Sequence, residues 1–124
     1  MVEESEEYLY LADTGEVPDG KSKCYALEGR SVMLCHAGGK LYAVENRCSH
    51  EKTPLEGGRV RASGKIVCPI HGATFDLETG KALSAPAVLP IAAFPMKIEG
   101  DKIYIKLVPT PKPPKNPFAM PGVG

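Results

Sequence analysis

Cys48-Ser49-His50 and, beyond residues 51–67, Cys68-Pro69-Ile70-His71-Gly72 are the stretches that decide how this chain is read. They gather two of the four cysteines and two of the three histidines of 124 residues into two tight pairs. Each pair offers one soft thiolate and one imidazole, the side chains that transition metals prefer. Each also follows a run with strand character, Leu41-Tyr42-Ala43-Val44 before the first and Lys65-Ile66-Val67 before the second. Ligands set at strand ends or in the next loop are held rigidly by the sheet behind them.

A set of two cysteines and two histidines also serves structural zinc. Zinc sites of the usual finger spacing, however, pair cysteine with cysteine and histidine with histidine. Here each loop carries one of each, C-x-H and then C-x-x-H. That mixture suits a two-iron centre, in which one iron takes a thiolate from each loop and the other an imidazole from each loop. Rieske [2Fe–2S] centres are ligated in this way. The candidate ligands are therefore Cys48, His50, Cys68 and His71, with a zinc-binding module as the rival from another class.

Outward from the pairs, the chain reads as all-β. Glycine (13) and proline (12) are frequent and well spread, long helical periodicity is absent, and short β-rich runs alternate with turn signals. Strands are expected at residues 8–11, 23–27, 31–37, 40–45, 58–61, 65–68, 74–77, 94–99 and 102–107. In the last of these, Ile103, Ile105 and Leu107 fall on one face, as a half-buried strand requires. Gly38-Gly39 and Glu99-Gly100-Asp101 read as hairpin connections, and Glu78-Thr79-Gly80 as a turn.

In order along the chain, Cys48-Ser49-His50, Gly57-Gly58, Cys68-Pro69-Ile70-His71-Gly72, Phe75-Asp76, Thr79-Gly80, Ala85-Pro86 and residues 99–104 resemble the Rieske-type ferredoxin family, and the likeness runs from about Tyr8 to Leu107. The resemblance implies a Rieske-type fold of three antiparallel sheets in one domain over residues 1–108. It implies a cluster-binding insert at about 46–84 and a shielding loop at Ala85-Pro86. It also implies one [2Fe–2S] cluster and a place in an electron circuit. In that circuit an electron arrives from a ferredoxin reductase and leaves to the terminal oxygenase of an aromatic-ring-hydroxylating dioxygenase system. A small Rieske subunit of another redox enzyme, such as a nitrite reductase, is the alternative. High-potential Rieske proteins carry two bridging cysteines and two hydroxyl donors where this chain has Thr53, Ile70, Ala73 and Phe75, so a low potential is expected.

The remaining residues limit the function further. With His50 and His71 spent, only His36 is left, so the two histidines and carboxylate of an oxygenase iron site cannot be assembled. No G-x-G-x-x-G follows a strand, so a flavin or nicotinamide domain is not expected. The chain should therefore carry electrons without catalysing a reaction. Fifteen basic and fifteen acidic residues give no net charge and no reason to expect nucleic acid. The acidic start at residues 3–7 does not read as a signal peptide, and no apolar run is long enough for a membrane helix, so a cytoplasmic protein is expected. Cys24 and Cys35 read as apolar packing residues, and His36 as a surface or edge residue. Glu51, Lys52, Glu56, Arg59 and Arg61 read as a docking rim, with Pro69, Ile70 and Pro86 as its apolar centre. From Pro109 to Gly124 six prolines in 16 residues exclude an ordinary strand or helix. That segment is either a disordered tail or an extended strap anchored by Phe118 and Met120.

Overall fold

The structure is a computed structural model that describes residues 7–48, 53–70, 72–84 and 89–111. Among these, nine strands form three antiparallel sheets: β1 (Tyr8–Asp13), β2 (Ser22–Leu27), β3 (Arg30–Ala37), β4 (Lys40–Glu45), β5 (Arg59–Arg61), β6 (Lys65–Val67), β7 (Thr74–Asp76), β8 (Met96–Glu99) and β9 (Lys102–Lys106). The sheets are ordered β1-β9-β8, β2-β3-β4 and β5-β6-β7. Among the described residues no helix is long and apolar enough to cross a membrane.

Strand β3 explains the layering. Val32, Met33, Leu34 and Cys35 are all buried, where a strand with one wet face would alternate. Successive side chains point to opposite faces, and they enter two different cores. Val32 and Leu34 join Leu11, Phe94, Ile103 and Ile105. Met33 and Cys35 join Ile66, Phe75, Leu77, Cys48 and Cys68. Strand β4 divides the same way, with Ala43 in the first core and Val44 in the second. The β2-β3-β4 sheet is thus the middle layer. Each large aliphatic side chain it buries contributes about 1.5–3 kcal/mol.

The expected apolar face of β9 is present, and Ile103, Ile105 and Leu107 all lie in the first core. All nine expected strands are found, with shifted ends that have local causes. Strand β8 starts at Met96 because Pro95 has no N–H to donate; Phe94 N–H instead bonds Ala43 O at 2.8 Å. A bulge between Tyr10 and Ala12 lets both Leu11 and Ala12 turn inward. After β1 a single 3-10 turn, Thr14–Glu16, is fixed by Glu16, whose carboxylate accepts the Asp13 N–H at 3.1 Å.

His36 departs from expectation. Because β3 is a central strand, His36 is half-buried rather than at a surface or edge, and its Nδ1 lies 2.7 Å from Val17 O. Cys35, its neighbour, points to the opposite face, so the two form no joint site. Cys24 and Cys35 are free thiols. Burial pushes their pKa values up to about 11 and about 12, which keeps them protonated packing residues.

Candidate cluster-binding site

Of the four candidate ligands, Cys48 and Cys68 are described; His50 and His71 lie outside the described residues, as do Ala85-Pro86 and the anchors Phe118 and Met120. The two cysteines occupy equivalent positions. Cys48 N–H donates to Thr53 O at 2.6 Å, and Cys68 N–H donates to Ala73 O at 2.7 Å. Each bond spans five positions and closes a neck around a short loop. His50 falls in the sequence of the first loop and His71 in that of the second. The cysteines are 0% and 2% exposed and lie in the same apolar cluster. The sequence thus encodes the same small device twice, each opening on a buried thiol that could serve a metal.

The supports of each half are explicit. Strand β4 leads into the first loop through Asn46, whose Oδ1 accepts the N–H groups of Leu55 and Glu56, each at 2.8 Å. Asn46 N–H also bonds Ser31 O at 3.0 Å, and its Nδ2 donates to Ser31 Oγ at 3.2 Å. One side chain therefore ties the far end of the loop to the middle sheet. Gly58 then lets the two halves meet, because the carbonyl oxygens of Val67 and Leu55 stand where a Cβ would be. The second loop leaves β6 and returns in β7, with Gly72 N–H bonding Cys68 O at 3.0 Å.

Beside Asn46, Glu45 is 5% exposed and fully engaged: Oε1 accepts Ala92 N–H at 2.7 Å and Oε2 accepts the Thr110 hydroxyl at 2.8 Å. Neither Asn46 nor Glu45 stands out in the sequence. The only signal is a polar pair placed between a strand and a ligand loop.

The donor set fits a two-iron cluster. Two thiols lie together in an apolar shell, and the position in the neck of the first loop carries a buried hydroxyl, Thr53 Oγ1, with no hydrogen-bond partner. Ala73 and Phe75 are fully buried in that shell, so positions 73 and 75 present no hydroxyl to the site, as expected. At the surface, Ile70 is 65% exposed, and Glu56, Arg59 and Arg61 are exposed. Glu51, Lys52 and Pro86, the other expected members of that rim, lie outside the described residues.

Comparison with known proteins agrees with this geometry. The family model described as "Rieske [2Fe-2S] domain" matches residues 7–95. The 3-phenylpropionate/cinnamic acid dioxygenase ferredoxin subunit of Shigella flexneri serotype 5b (strain 8401) is 35% identical over 100 residues, covering 80% of this chain and 92% of that one. The ferredoxin of carbazole 1,9a-dioxygenase from Nocardioides aromaticivorans IC177 superposes with a TM-score of 0.74 at 30% identity, covering 79% and 95%. The Sphingomonas yanoikuyae B1 ferredoxin gives 0.74 at 28% identity, covering 82% and 99%. With its three antiparallel sheets, its paired cysteine loops and these relatives, the chain belongs to the Rieske [2Fe–2S] domain family.

Proposed function

We propose that Cys48 and Cys68 hold one iron of a single Rieske-type [2Fe–2S] cluster and that His50 and His71 hold the other. In this reading the chain carries single electrons from a ferredoxin reductase to the terminal oxygenase of a multicomponent aromatic-ring-hydroxylating dioxygenase. The observation that carries the ligand set is the pair of equivalent necks, Cys48 to Thr53 and Cys68 to Ala73, inside one apolar cluster. The relatives, named as dioxygenase ferredoxins, carry the circuit.

When bound, the cluster takes up and returns one electron, and the chain supplies the surroundings. Hydrophobic burial around Cys48 and Cys68 keeps water from the thiolate side. Ile70, next to His71, stands out into solvent and offers an apolar contact at the loop tip. Arg59, Arg61 and Glu56 flank the first loop and orient a partner; redox contacts of this kind are small and short-lived. The cluster-binding insert is placed at about 46–84 within a domain of residues 1–108, followed by the proline-rich tail from 109. The location is the cytoplasm, which suits Cys24 and Cys35 as free thiols.

Electron paramagnetic resonance of the dithionite-reduced protein tests the site. A rhombic signal with a low average g value is expected, with two irons and two sulfides per chain. A colourless protein that binds zinc after anaerobic iron and sulfide loading overturns it. Reduction by a ferredoxin reductase, followed by oxidation by a terminal oxygenase, tests the circuit.

A further inference from the structure

Three buried side-chain polar atoms among the described residues have no hydrogen-bond partner: Arg30 Nη2, Arg47 Nε and Thr53 Oγ1. The third stands in the neck of the first ligand loop. The necks correspond position by position, since Cys48 bonds back to Thr53 and Cys68 to Ala73 across the same number of residues. Thr53 is therefore to the first loop what Ala73 is to the second. Ala73 is fully buried in the apolar cluster that holds both cysteines. At the matching place the first loop carries a hydroxyl.

A hydroxyl shielded from water and left without an acceptor is destabilising, so such a group calls for an explanation. It also rotates freely to meet an acceptor. The Thr53 carbonyl accepts the Cys48 N–H, which sets the backbone of Thr53 against that of the first cysteine. Resting on the ligand assignment above, we propose that the Thr53 hydroxyl donates a hydrogen bond to a sulfur of the bound cluster or of its cysteine ligand. The sulfurs gain electron density on reduction, so a donor there stabilises the reduced state and raises the potential. The second loop has no hydroxyl at positions 73 or 75. The first loop supplies the one polar side chain of the paired necks, and the electron is stabilised from that side.

Thr53→Val keeps the shape and removes the hydroxyl, Thr53→Ala removes both, and Thr53→Ser restores the hydroxyl alone. Each is prepared as holoprotein, with iron and sulfide counted first. In Thr53→Val the reduction equilibrium should weaken roughly tenfold, a fall of about 59 mV for one electron. The deuterium-sensitive part of the Fe–S stretching bands should shrink in resonance Raman spectra. Thr53→Ser should retain both properties, and Thr53→Ala should follow Thr53→Val. If only the serine variant loads a cluster, the proposal stands where that variant keeps the parent's deuterium-sensitive Fe–S bands and falls where it does not. Potentials and Raman bands unchanged in Thr53→Val or Thr53→Ala overturn it, as does a serine variant that behaves like valine or fails to load. Failure of the underlying ligand assignment looks different: the unmodified protein would hold no iron and sulfide.

Discussion

Replacing Asn46 with alanine should loosen the first ligand loop by a calculable amount. Its Oδ1 accepts two backbone N–H groups, from Leu55 and Glu56, both at 2.8 Å. Leu55 is fully buried, so its amide would have little access to water in exchange. Each hydrogen bond has a net worth of roughly 0.5–1.5 kcal/mol, and stranding a buried donor costs about as much or more. The loss is therefore about 2 kcal/mol for local opening, or roughly 30-fold in the opening equilibrium. Native-state hydrogen exchange reads this directly, with the amides of Leu55 and Glu56 exchanging about 30-fold faster. Asn46→Asp is the control. A carboxylate accepts both N–H groups and gives up only the exposed bond to Ser31, so protection should stay near that of the parent. Exchange unchanged in Asn46→Ala, or equally fast in Asn46→Asp, would refute the claim that this amide oxygen anchors the loop.

With no hydroxyl at positions 73 and 75, the midpoint potential should lie on the order of −150 mV, the low end for Rieske centres. Voltammetry giving more than about +100 mV contradicts the argument, and Ala73→Ser or Phe75→Tyr should raise the potential wherever the new hydroxyl reaches sulfur. Glu16 has its pKa lowered from 4.5, first by the Asp13 N–H and then by the Tyr25 hydroxyl. A depressed carboxylate stabilises the fold above its unfolded pKa and loses that contribution as pH falls through the folded value. Stability should therefore decline below pH 4.5 with a shallower slope in Glu16→Gln, measured by thermal melts; identical slopes count against the Asp13 and Tyr25 contacts. Arg59→Glu should slow electron transfer to a partner at low salt while leaving the visible spectrum intact. Unchanged rates would remove Arg59 from the docking rim.

The architecture was legible because β-sheet alternation and turn chemistry are local. Ile103, Ile105 and Leu107 declare a face, and Gly38-Gly39 declares a hairpin. The cysteine loops were legible because two chemically matched pairs rarely arise by chance. What stayed hidden depends on tertiary packing. The four consecutive buried residues of β3 do not reveal that they belong to two cores, which only the sheets above and below decide. The roles of Asn46 and Glu45 come from partners far along the chain, such as Ala92 and Thr110, and a polar residue after a strand gives no sign of them. Thr53 could be read from sequence only as a missing bridge; its neck partner and its buried hydroxyl needed coordinates.

Glu45 sets a practical boundary for trimming the C-terminus. One of its oxygens is engaged by Thr110, just past the final strand, and both lie at the base of the loop that begins with Cys48. Shortening the chain to any point beyond 111 spares that contact. Ending it at 109 removes the hydroxyl from Oε2 of a buried carboxylate and leaves it the Ala92 N–H alone of these two bonds. Chains ending at 111 and at 109 should therefore differ by a step in thermal stability that follows the loss of Thr110.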